Sequence, residues 1–144
     1  MHKIETHLHT KHVSKCGWLT AEELIAGYKA AGYDAIVVTD HYNRTTFEYL
    51  GIDTRAPGDK VGAFLDGYRR MAELGEREGI RVFKGAELRF DESENDYLLY
   101  GYADDLLADP EELFQDRLPM SEAAIPSLPR YQDIPATYLQ GSPP

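Results

Sequence analysis

The apolar run Ala35-Ile36-Val37-Val38, set between two stretches of helical periodicity, constrains the fold more than anything else in this chain. A strand that is apolar at every position needs cover on both faces, the habit of parallel sheets with helices packed against them. Upstream, Thr20-Ala21-Glu22-Glu23 has the form of a capping box. Leu24, Ile25, Tyr28 and Ala31 then make one apolar stripe, which Gly32 can end in a left-handed conformation. Downstream, Val61, Phe64, Leu65, Tyr68, Met71 and Ala72 recur at helical spacing up to a stop at Gly79. Lys3-Ile4-Glu5-Thr6 reads as a first strand, Ile80 to Ala86 as a third and Tyr97 to Tyr102 as a fourth. The alternation predicts an α/β domain on a parallel sheet of about four strands, with a short last helix opening at Pro110.

The pattern stops near Leu118. Pro119, Pro126, Pro129, Pro135, Pro143 and Pro144 are six of the eight prolines, so residues 1–118 are expected to form the domain and residues 119–144 an extended or disordered tail. The net charge of −10 gives no steering toward a phosphate backbone or an anionic membrane, so neither nucleic acid nor membrane is expected as a partner. The first residues carry no apolar segment of a secretory signal, and the longest apolar runs are strand-sized. With Cys16 as the sole cysteine, no intrachain disulfide can form, and a reducing, cytoplasmic setting is the expectation.

Chemistry-bearing residues gather where strands finish. His7 and His9 follow the first strand two residues apart, so they project to one side and can meet one partner. Asp40-His41 follows the second strand and Glu87 the third. In parallel β/α architectures the C-terminal strand ends converge on one rim, so these distant residues are expected together. Neutral imidazole nitrogens beside a carboxylate suit zinc, iron or manganese. His12 reads as a loop residue, Cys16 as a small buried or half-buried one, and Tyr28, Tyr68, Tyr97 and Tyr100 as core. The acidic stretch Asp91 to Asp96 reads as a solvated loop without the ligand pattern of a calcium site.

In order, His7-x-His9-Thr10, Thr39-Asp40-His41 and Gly85-Ala86-Glu87 resemble the first motifs of the PHP (polymerase and histidinol phosphatase) family, over roughly residues 3–117. The resemblance implies a distorted, TIM-like β/α barrel with divalent metal ions at one rim and hydrolysis of a phosphate ester. It implies metal ligation by His7, His9, His41 and Glu87, a small phosphorylated substrate, and metal-activated water as nucleophile, with up to three ions in the family; the four ligands here suffice for one or two ions of zinc, manganese or iron. Glu87, Asp40 and Arg89 are then the candidate catalytic residues. Glu87 would be a carboxylate shared between ions, Asp40 a group that orients a ligand, and Arg89 a phosphate grip or, alternatively, half of a salt bridge. Arg44 and Lys11 are weaker candidates of the same kind.

Two departures from the family pattern stand out. The segment Val13-Ser14-Lys15-Cys16-Gly17 lacks the Asp or His that members often carry there, leaving Cys16 as a thiolate ligand or Lys15 as a charge in that space. No histidine follows His41, and about four strands fall short of the roughly eight in a closed barrel of ~250 residues. The chain therefore resembles the first half of a PHP domain. A truncated, inactive fragment that only binds metal is the main alternative, followed by a module associated with a DNA polymerase and by an amidohydrolase-type barrel. Open strand edges near residues 97–102 lead to an expectation of self-association.

Overall fold

A computed structural model describes residues 2–91, 95–102 and 104–115; the expected tail, residues 119–144, lies outside the described residues. Four parallel strands and one antiparallel strand form a single mixed sheet with helices against it. The first strand, β1 (Ile4–Leu8), runs further than expected and takes in His7. It pairs in parallel with β2 (Ala35–Val38), and β2 pairs in parallel with β4 (Arg81–Leu88). A two-residue strand, β3 (His41–Tyr42), continues β2 along the same partner. Val38 faces Lys84 and His41 faces Glu87 in unbroken register, with the Glu87 amide donating to the Asp40 carbonyl at 3.0 Å. The backbone thus carries His41 and Glu87 side by side.

The fourth expected strand is present with its direction reversed. β5 (Tyr97–Tyr100) is antiparallel to β4, with Glu87 opposite Leu98 and Gly85 opposite Tyr100. Only residues 89–96 separate the two strands, fewer than the dozen or so that a parallel crossover needs.

The helices cover one face. α1 (Ala21–Ala30) opens with the expected capping box, Thr20 and Glu23 each bonding the other's backbone. α3 (Pro57–Glu78) ends at Gly79 in the left-handed region. Between them Leu8, Leu24, Ile25, Ile36, Val38, Met71 and Ile80 make an aliphatic core with Tyr28 and Tyr68 packed on it. A second, largely aromatic core of Tyr42, Phe47, Phe64, Tyr102 and Phe114 joins β3 and β4 to α2 (Arg44–Tyr49) and α4 (Pro110–Gln115). α2 has no counterpart among the expected elements; Asn43 caps it by accepting from the Thr46 amide at 2.9 Å. A buried ammonium, Lys60, reaches Glu111 at 2.5 Å and ties α3 to α4.

The other sheet face is open. Ile4, Phe83, Leu98 and Tyr100 are each about 40 % exposed, and strand alternation places them with Val37 and Glu87 away from the helices. Tyr100 is therefore not the core residue its apolar setting suggested, although its hydroxyl donates to the Thr6 carbonyl at 2.9 Å. No helix among the described residues is long and apolar enough to cross a membrane.

Candidate metal centre

Three imidazoles meet one carboxylate oxygen where β1, β3 and β4 end. Glu87 Oε2 lies 3.1 Å from His7 Nε2, 2.6 Å from His9 Nε2 and 3.2 Å from His41 Nδ1. His7 Nε2 and His9 Nε2 are themselves 3.0 Å apart. The period of two aims both rings of the first pair at this point, while the parallel register of β3 and β4 brings His41 beside Glu87. His41 Nδ1 is buried and makes no hydrogen bond, the short distance to Glu87 lacking the right geometry.

The donor set fits a divalent cation. Burial first, and then repulsion from His41, holds His9 below the ordinary histidine range, so at neutral pH its ring is neutral and offers a lone pair. An orphaned, buried ring nitrogen facing a carboxylate is the arrangement a cation completes, since the ion accepts lone pairs from all the surrounding atoms at once. His7, His9 and Glu87 present ligand atoms within 4.8 Å of one another, as do His41, Glu87 and Asp96, and His9, Cys16 and His41.

Asp40 faces away from this cluster and organises the loop that follows β1. Its Oδ1 accepts from the Thr10 amide at 2.6 Å and the Ser14 hydroxyl at 2.8 Å, and its Oδ2 accepts from the Thr10 hydroxyl at 2.7 Å. The His41 amide in turn donates to Ser14 Oγ at 2.9 Å, so one bonded chain joins both sides of the site. Burial outweighs these donors and pushes the Asp40 carboxyl up to about 6. α3 approaches so closely that a Cβ at Gly67 would sit 2.4 Å from Thr10 Oγ1 and 2.5 Å from Asp40 Oδ2.

Among the expected catalytic residues, Glu87 is the hub, the Asp40 carboxylate is hydrogen-bonded to Thr10 and Ser14 of the loop, and Arg89 forks onto Asp96 with contacts of 2.7 and 2.5 Å. That pair holds the Asp96 carboxyl below its usual range. Arg89 also lines a cavity of about 270 Å³ beside the centre, together with Lys15, Cys16, His41, Asn43 and Thr46. Arg44 is engaged elsewhere, with Asp91 at 2.8 Å and Glu111 at 2.5 Å. Asp96 is the site residue that the sequence reading missed, because it falls in an acidic stretch that looks solvated. Its position immediately before an apolar strand was the available signal. Thr10 and Ser14 are supports that no local pattern marks, because their hydroxyls meet a carboxylate that lies 26 to 30 residues away in the chain.

No curated protein matches this chain. The PHP domain model matches residues 5–126, a span that contains every residue of the cluster around Glu87. Paired histidines, strand-end carboxylate and family match coincide, and the chain belongs to the PHP domain family.

Proposed function

We propose that this protein is a metal-dependent phosphoesterase acting on a small phosphorylated substrate. The observation that carries the reading is the convergence of His7, His9 and His41 on a single Glu87 oxygen, with His41 Nδ1 left without a hydrogen bond. His7, His9, His41 and Glu87 would hold the metal, with Asp96 as a further carboxylate. A divalent ion bound there supplies Lewis acidity toward a phosphoryl oxygen and makes water a stronger acid near neutral pH.

The remaining roles fall to the chain's own groups. Asp40 positions the Thr10–Ser14 loop, and through Ser14 the backbone of His41. Lys15 and Arg89 put positive charge on the wall of the adjoining cavity, where a phosphate monoester would be gripped away from the acidic bulk of the protein. The cavity suits a small substrate rather than a polymer. The sheet is read as the opening part of a PHP-type barrel, whose inner face would be the one bearing Val37, Phe83 and Glu87.

The test is hydrolysis of p-nitrophenyl phosphate by the purified chain with added Mn²⁺ or Zn²⁺, alongside metal analysis. Turnover abolished by His9→Ala supports the proposal. Stoichiometric metal with no turnover on a panel of phosphate esters favours the second reading, a metal-binding fragment; the absence of any histidine after His41 is the feature behind it. Failure to bind any divalent ion removes both.

A further inference from the structure

The family pattern leaves the position after the histidine pair without its usual ligand, yet the fold places Cys16 there with some force. The loop is pinned on one side of Cys16 by Asp40, through Thr10 and Ser14. On the other side it is pinned by Gly17, where a Cβ would lie 2.4 Å from the Thr10 carbonyl carbon and oxygen, so no larger residue fits without moving the backbone. The Lys11 amide closes the loop onto the Leu19 carbonyl at 3.2 Å. Held this way, Cys16 Sγ sits 2.8 Å from His9 Nδ1. Donor atoms of His9, Cys16 and His41 all lie within 4.8 Å of one another. A tetrahedral zinc site with Zn–S near 2.3 Å and Zn–N near 2.0–2.1 Å spaces its ligand atoms about 3.3–3.6 Å apart, within reach of side-chain rotation alone.

We infer that Cys16 is a metal ligand of this centre, completing a mixed nitrogen and sulfur set with His9 and His41 that selects zinc-like ions over manganese and magnesium. The inference rests on the metal-centre reading above and adds to it the nature of the ion. Thiolate and imidazole are the softer donors among protein ligands, and they suit zinc, whereas the all-oxygen preference of magnesium and the carboxylate preference of manganese are poorly served. Binding replaces the S–H bond by an S–metal bond, and the thiol proton leaves to the buffer. The buried Nδ1 of His41, which makes no hydrogen bond among the described residues, is an independent sign that the cluster is arranged for something other than its own hydrogen bonds. His9 stands between the two sides, and as a neutral ring it can give its Nδ1 lone pair to the ion that Cys16 holds while its Nε2–H donates to Glu87.

Cobalt(II) titration of the full chain tests this, because sulfur ligation and metal binding give separate signals. The expected result is visible ligand-field bands together with a near-ultraviolet thiolate-to-cobalt charge-transfer band, the latter absent in Cys16→Ser while the former persist. Cys16→Ser is also expected to weaken zinc more than about 100-fold, beyond the 10–100-fold typical of losing an outer partner, with manganese affinity little changed. Ligand-field bands without charge transfer in the wild type overturn the inference and leave the metal centre standing, Cys16 then being only a hydrogen-bond partner of His9. The absence of any cobalt signal overturns both. Cys16 is exposed, so the serine variant is expected to fold, and its far-ultraviolet circular dichroism provides the check.

Discussion

Asp40 and Glu87 are both carboxylates buried at strand ends, 1 % and 7 % exposed, and they are held in opposite ways. Asp40 receives a backbone amide and two hydroxyls, each a donor with good geometry, so the protein by itself answers the whole group. Glu87 meets three ring nitrogens crowded on one oxygen, and one of them makes no hydrogen bond. If His7 and His9 both aimed an Nε2–H at that oxygen, the two N–H groups would oppose each other across 3.0 Å, and burial together with His41 disfavours added positive charge on His9. The first arrangement is complete without a ligand, and the second is one that a cation could complete. Burial alone does not separate a structural carboxylate from a binding one; the count and kind of donors around it does.

The contrast breaks most visibly on deleting each group. Glu87→Ala is expected to lower zinc affinity more than about 100-fold by calorimetric titration, exceeding the loss of an outer partner. The ion-free protein should still melt within a few degrees of wild type. A large fall in the ion-free Tm with binding intact would place Glu87 in the same structural class as Asp40. Asp40→Ala should do the reverse in ion-free urea unfolding. It strands the Thr10 amide and two buried hydroxyls, at roughly 1–3 kcal/mol for each unsatisfied group, so a loss of about 3 kcal/mol or more is expected. Unchanged stability in that variant would mean that the loop is held by something else.

Gly67→Ala is a gentler probe of the same support. Its methyl group would press on Thr10 Oγ1 and Asp40 Oδ2, and overpacking of this kind costs about 1–3 kcal/mol. Zinc affinity should fall with it, because the displaced loop carries Cys16; stability lost with affinity intact would uncouple the loop from the centre.

The smallest effect expected is in pH dependence, where the two sites pull in opposite directions. Asp40, raised to about 6, has a folded value above that of an unfolded carboxyl near 4. Its protonated form therefore contributes stability that is whole below about pH 4 and lost as the pH rises through about 6. His9, held below 6.5, contributes stability present above that value and lost as the pH falls through its lower folded value. In ion-free unfolding across this range, Asp40→Asn should remove the first trend and His9→Gln the second. Parallel slopes for wild type and both variants would remove the basis for the contrast.

Much of this arrangement was readable along the chain, and the exceptions have physical causes. His7 and His9 are legible because a strand repeats every two residues, and His41 and Glu87 because each follows a strand-like run. The direction of β5 was misread, though the short spacing after β4 excludes a parallel return, because apolar content says nothing about which way a strand runs. Asp96 was hidden by its acidic neighbours, since charge density reads as solvation until a fold brings one member against Arg89. The division of labour between Asp40 and Glu87 was least legible, as both are acidic groups at strand ends with histidines nearby.

The order of residues by itself determined the parallel α/β framework, the helix stops at Gly79 and the capping of α1, and which side chains reach the strand ends, because these follow from local period and local backbone preference. Only the tertiary structure decided that three ring nitrogens share one oxygen, that Asp40 is spent on the Thr10–Ser14 loop and that Cys16 lies against His9. Those facts depend on the register between β3 and β4 and on the close approach of α3 at Gly67, contacts between segments far apart in the chain that no local pattern encodes.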